Sequence, residues 1–213
     1  AQSYDAMLGD GQKIDQSMRS KYLLTSKDEH VYQRVGLEAS FSKNEQYAHN
    51  AKVPSPFEHN CTDYIWEEKN GGPRQINEVI EHLLHTVTAV ILNLAYPNDW
   101  GYMSSSSRLR LATQEAIEKG VYDVSDYDEI KGDKEGYNKI ITQEYAYWLI
   151  LAQWDYFDIS GNTDGGSITG NNEFTLGKPN EIREKLPLGH QLYVDYIEKI
   201  LTEPDKKFIE SLF

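Results

Sequence analysis

The chain is expected to be mainly α-helical, with no more than a minor strand content of the α+β kind, and three features of the sequence predict this. Several long stretches repeat apolar residues at helical spacing, cap and breaker residues punctuate those stretches, and strand-type alternation is scarce. At 213 residues the chain is long enough for one compact domain with a sizeable core, and no internal repeat is evident. Residues 1 to 72 read as a helix and loop region packing on the core, and residues 73 to 213 as the helical core itself.

Taken in order, the first 26 residues are a polar start followed by a helix, because Ile14, Met18 and Tyr22 recur every four residues and Leu23 and Leu24 close the face. From Glu38 to Lys69 breakers dominate, most densely in VPSPFEHN at 53 to 60, so this stretch reads as loop with a short element around Tyr64 to Trp66. Asn70 to Pro73 is a stop and restart, and proline suits the first turn of the helix that follows. That helix spans Asn77 to Leu94. Beyond it, YPNDWGYMSSSS at 96 to 107 is turn-rich, and a helix from Arg108 to Lys119 ends at Gly120, a residue suited to the left-handed position after a helix. Gly132 to Gly136 reads as a loop, and Ile140 to Phe157 as a strongly apolar helix with Thr142, Gln143 and Glu144 in its first turn. A Gly/Asn-rich loop covers 158 to 174, and helical pieces follow from Pro179, over Gly189 to Leu201 and over Lys206 to Phe213. Val31 to Val35 and Glu173 to Leu176 are the strand candidates.

Composition narrows the partners. A formal charge of −13 leaves no basic surplus to displace counterions from a phosphate backbone, so nucleic acid is not expected. No run approaches the ~18 consecutive apolar residues of a membrane span, since Thr88 and Asn93 interrupt the longest apolar stretch. The single cysteine, Cys61, cannot form an internal disulfide. The sequence starts AQSYDAM, as a mature protein does after cleavage at a small-residue site, so export to a periplasmic or extracellular space is expected, with the cytoplasm as the other address.

The segment NEVIEHLLHTVTAVILNL, 77 to 94, carries the chemistry. At about 100° per residue, Val79, Ile80, Leu83, Leu84, Val87, Val90, Ile91 and Leu94 share one arc, while Glu78, Glu81, His82 and His85 share the other. Residues four apart on a helix lie one above the other, so Glu78/His82 and Glu81/His85 can converge on one ion. Such a stripe is ordinarily a solvated face; the two histidines within it are what give it the alternative of holding a metal, and mixed carboxylate and imidazole ligands suit zinc or iron, divalent transition metals, better than calcium or magnesium. The alternating oxygens of Asp158, Ser160, Asn162 and Asp164 read as a solvated turn, because the position that needs a bidentate Glu in a calcium loop holds Asn171.

IEHLLHT, followed about sixty residues later by QEYAYW, resembles the core of zincin-type metallopeptidases, in which H-E-x-x-H lies on one helix and a Glu ligand on a later one. QEYAYWLILAQWDYF is similar to the ligand helix of anthrax-lethal-factor-like peptidase domains, and the likeness covers roughly residues 73 to 200. The resemblance implies a single zincin-like helical domain whose metal, zinc in the family, is held by two residues of the first helix and by Glu144. In the direct frame Glu81 stands at the first His ligand, His82 at the general base and His85 at the second His ligand. In the inverted pattern H-x-x-E-H, Glu81 becomes the base, His82 a ligand and Glu78 replaces the first His.

The expectation is therefore a metal-dependent, peptidase-like hydrolase with Glu81, His85 and Glu144 as metal ligands, His82 and Glu78 as the groups that handle protons, and a peptide or protein substrate. Tyr145 and Tyr147 could supply a hydroxyl to a developing oxyanion. The alternative is a catalytically inactive zincin-like fold kept as a binding or structural module. A carboxylate-histidine oxidative metalloprotein is disfavoured, since the paired E-x-x-H motifs of a di-iron bundle are missing.

Overall fold

A computed structural model describes residues 1 to 37, 59 to 65, 73 to 159 and 173 to 213. Within these residues the protein is mainly helical, as the apolar spacing predicts. The breaker cluster at 53 to 58, Trp66, the Asn70 to Gly72 stop and the 160 to 172 part of the Gly/Asn loop lie outside the described residues.

Helix α1 is Gln2–Met7 and α2 is Gln16–Asp28. The α2 start is set by Asp15, whose carboxylate accepts from the Ser17 and Met18 amides at 2.9 and 3.1 Å, satisfying two of the amides that have no partner within the helix. Two strands follow, β1 (Tyr32–Leu37) and β2 (Asn60–Ile65), paired in parallel with Tyr32 opposite Asn60. The first strand candidate is thus real, beginning one residue later than Val31 and ending two residues beyond Val35. The second, at 173 to 176, supplies only an isolated bridge from Phe174 to Tyr122.

Helix α3 (Pro73–His85) runs on through a π-helical stretch, Thr86–Leu92, and a last turn, Asn93–Ala95. Two threonines sit where the helix widens. Thr86 Oγ1 donates to the His82 carbonyl at 3.2 Å and Thr88 Oγ1 to the Leu84 carbonyl at 2.8 Å. Such bonds compete for carbonyls of the preceding turn and loosen the ordinary register. By length and composition Gln75–Ala95 could cross a membrane, although 61% of it is buried inside the protein, as in a core helix.

The turn-rich segment contains a short helix, α4 (Pro97–Trp100). Helix α5 (Arg108–Glu118) is capped by Ser107 and followed by Gly120 at φ +64°, the left-handed conformation the sequence requires there. Helix α6 (Lys134–Gln153) begins earlier than the apolar pattern indicates, because Asp133 caps it by accepting from the Gly136 amide at 3.1 Å. Glu144 therefore lies deep in the helix rather than in its first turn, and the dipole of a helix N-terminus does not explain it. The chain closes with α7 (Pro179–Lys185), α8 (Pro187–Leu192) extended by a π-helical turn and Glu198–Ile200, and α9 (Lys206–Glu210).

One apolar cluster joins these helices. Met7 and Tyr22 from the first segment share it with Ile80, Leu84, Ile91, Trp100, Tyr145, Leu149 and Ile200. Buried Arg19 fastens the two ends of the chain, its guanidinium donating to the carbonyls of Ile200, Leu8 and Gly9 at 2.8, 3.0 and 2.9 Å. Helix α3 packs on β2 and on α6, and it turns its His85 side to Glu144 of α6.

The packing makes the deepest part of the α3 arc Ile80, Leu84, Val87 and Ile91, with Leu83 only partly buried. Leu84→Ala is expected to lower stability in urea unfolding by about 2–5 kcal/mol. Glu78→Ala, at a partly exposed side chain, is expected to change it by no more than about 0.5 kcal/mol.

Candidate metal centre

The polar stripe of α3 is mostly withdrawn from water. His85 is 4% exposed, and the side chains of Glu144 and His82 are only 15% and 19% exposed. Ligand atoms of Glu81, His82 and His85 all lie within 4.8 Å of one another. His85 lies four residues after Glu81 and three after His82, the two spacings at which helix side chains meet, so both converge on it.

Glu144 joins the group from α6. Its Oε2 is 3.4 Å from His85 Nε2, yet that buried nitrogen has no hydrogen-bond partner. Two donor atoms bound to one tetrahedral zinc at about 2.0–2.1 Å stand about 3.3 Å apart. The pair is thus spaced as ligands of a common ion, and a buried imidazole nitrogen without a hydrogen bond is what such an ion would satisfy. The residues present fit a metal ion by donor type and by spacing.

The second histidine is oriented by the backbone. His82 Nδ1 is 2.7 Å from the Glu78 carbonyl oxygen; a carbonyl only accepts, so Nδ1 carries a proton, and in the neutral form of the ring the lone pair is on Nε2. This is how metal-binding histidines are commonly held. The Glu78 carboxylate stands 4.0 Å from the same nitrogen, beyond hydrogen-bonding reach. Glu78 is not a member of the converging group. The structure thus brings Glu81, His82 and His85 together, links Glu144 to them through His85, and leaves Glu78 beside His82.

Aromatic rings wall the site. The His82 and His85 rings meet edge to face at 5.6 Å, and Tyr147 meets His85 in the same way at 5.9 Å. Tyr147 Oη donates to Asn77 Oδ1 at 2.5 Å, and Asn77 Nδ2 donates to Glu81 Oε2 at 3.3 Å. Nearby, Tyr127 Oη donates to the buried Glu173 at 2.6 Å. Tyr145, the other tyrosine singled out in the sequence, packs on Tyr122 and Phe174 in the core. Asn77, Tyr127 and Glu173 are not evident as site residues from the sequence. For Asn77 a signal existed, since it lies one helical turn before Glu81.

Electrostatics separates the two carboxylates. Burial pushes the Glu81 carboxyl up to about 7, with the His85 imidazole opposing the rise and the charge of Glu144 adding to it. Glu144 is buried too, but His85, Gln143 and His82 outweigh that burial and hold it below the usual carboxylate range. The two carboxylates of the cluster are thus shifted in opposite directions, Glu81 toward its neutral form and Glu144 toward its charged form.

Compared with protein-family models, with curated proteins and with solved structures, the chain matches none of them.

Because the folded protein holds the Glu81 proton more tightly than the unfolded chain, this group stabilises the metal-free fold at low pH. That contribution is lost as pH rises from the ordinary carboxylate range through about 7. Urea midpoints measured in chelator between pH 5 and 8 are expected to fall with pH, and Glu81→Gln is expected to flatten the decline. Glu144 acts at the acid end, where its stabilising charge is lost as pH falls below the usual carboxylate range.

Proposed function

We propose that the chain is a zincin-like, metal-dependent hydrolase with a peptide-like substrate, and that its metal ligands are Glu81, His85 and Glu144. The observation that carries the metal is the buried His85 Nε2, without a hydrogen bond and 3.4 Å from the Glu144 carboxylate. The class of reaction and the peptide substrate rest on the resemblance of IEHLLHT and QEYAYW to the peptidase core. A bound divalent metal supplies a Lewis acid that polarises a carbonyl and makes water a nucleophile at neutral pH.

The chain's own residues divide the remaining work. Glu81, His85 and Glu144 would hold the ion, a set of three protein ligands being the kind that hydrolytic sites use. His82, with Nδ1 fixed on the Glu78 carbonyl, offers Nε2 as the proton acceptor at the position where the family carries a Glu. The Tyr147 ring keeps water from one side of His85.

A second reading follows from the same cluster. Ligand atoms of His82 lie within 4.8 Å of those of Glu81 and His85, so His82 can serve as a fourth ligand. Four protein donors make a closed site of the structural kind, which favours an inactive binding or structural module.

One set of variants separates these readings. Wild-type protein purified without added metal is expected to carry about one zinc or iron per chain. His85→Ala and Glu144→Gln are expected to weaken zinc by more than the roughly 10–100-fold that loss of an outer partner costs. His82→Ala that keeps the metal while abolishing cleavage of an unbiased peptide library supports the hydrolase. Loss of metal in His82→Ala, with no cleavage by the metal-loaded wild type, supports the closed module. A metal-free wild type that takes up no added zinc overturns both.

A further inference from the structure

A hydrogen-bonded relay reaches the candidate ligands from behind, and it uses two residues that play no part in holding the ion. Tyr147 sits on α6 close to Glu144, and Asn77 on α3 one turn before Glu81. The phenol donates to Asn77 Oδ1 at 2.5 Å. That bond fixes the orientation of the amide, because only its oxygen can accept, and turns the NH2 group toward Glu81 Oε2 at 3.3 Å. Tyr147 is fully buried, so no water competes for its hydroxyl. The same ring stands edge-on to His85 at 5.9 Å.

We infer that Tyr147 and Asn77 are positioning residues of the metal centre: Tyr147 orients Glu81 through Asn77 and His85 through its ring, so one side chain of α6 sets two ligands of α3. The inference rests on the metal-binding reading above. The amide donor engages one Glu81 oxygen, Oε2, and so restrains the carboxylate from the side of α6. Hydrogen bonds of this kind fix a ligand's direction and raise metal affinity without touching the metal.

The relay can be cut while the packing is kept. Tyr147→Phe removes the hydroxyl and retains the ring, and Asn77→Ala removes the amide. Zinc affinity is read by competition with a chromophoric chelator, and the visible absorption of the cobalt-loaded protein reports ligand geometry. Both variants are expected to weaken zinc by roughly 10–100-fold and to shift the cobalt bands, while Tyr147→Phe unfolds in chelator close to the wild-type urea midpoint. Asn77→Gln is expected to bind as poorly as Asn77→Ala, since its longer arm cannot bridge the same two partners.

Zinc affinities within twofold of wild type and unchanged cobalt bands in Tyr147→Phe and Asn77→Ala overturn the relay while leaving the metal centre standing. If Asn77→Ala does not fold, Tyr147→Phe decides alone. Failure of the wild type to bind zinc or cobalt overturns the relay together with the metal centre, and is read directly from the wild-type titration.

Discussion

The burial of a polar stripe between two helices is the constraint on which the rest of this structure depends. Helix α3 gives its apolar arc to the core through Ile80, Leu84, Val87 and Ile91, yet it also turns Glu81 and His85 inward, onto α6. A charge taken out of water costs several kcal/mol unless it is paired. Here two carboxylates and two imidazoles share the cost. His85 stands beside Glu144, His82 is fastened to a backbone carbonyl, and Glu81 takes a hydrogen bond from Asn77. What this set leaves over is a buried imidazole nitrogen with no hydrogen bond and a carboxyl that burial biases toward its neutral form. Both would be relieved by one cation, whose binding would replace the proton and would depend on pH for that reason.

The scaffold around the stripe is organised to keep it in register. Immediately after His85 the helix widens to π geometry, with Thr86 and Thr88 bonded back to the carbonyls of His82 and Leu84. Widening at this point lets the C-terminal half of the helix stay buried on all sides, from Thr86 to Leu92, while the preceding turn keeps its ligand face aimed at α6. The opposite wall is equally fixed. The aromatic run of α6, with Tyr145, Tyr147 and Trp148 all buried, anchors Glu144 between the core and the site.

How much of this was legible in the sequence depends on the range over which each feature is determined. Helical spacing found α3, its two stripes and the convergence of Glu81 with His85, because residues four apart meet whatever surrounds them. Caps and breakers found α5 with Gly120, and the helix from Pro179. The start of α6 was missed by six residues because Asp133 nucleates it ahead of the apolar pattern, and the error mattered: it put Glu144 in a first turn where a dipole would explain it. The depth of the polar stripe was not legible either, since periodicity gives a side chain's angle around a helix and not what the facing helix presents. The hydrogen bond from Tyr147 to Asn77 crosses between helices far apart in the chain, and with fifteen tyrosines no local signal selects one.

The geometry also bears on the two frames in which the motif can be aligned. In the inverted frame Glu78 must be a ligand, and it is outside the converging group, its carboxylate 4.0 Å from the nitrogen that already donates to its own carbonyl. Glu78 acts on the site through its backbone, by fixing the tautomer of His82. In the direct frame Glu81 and His85 are the helix ligands, and these converge, with Glu144 arriving beside His85. The direct frame then hangs on one atom. His82 Nε2 either completes a closed set of four donors or stands back from the ion as the proton acceptor, and the same Nδ1 bond serves both roles, because each needs a neutral ring with its lone pair turned toward the cluster. Whether such a site would be structural or hydrolytic therefore turns on whether His82 Nε2 would join the donors Glu81 and His85 or stand back from them.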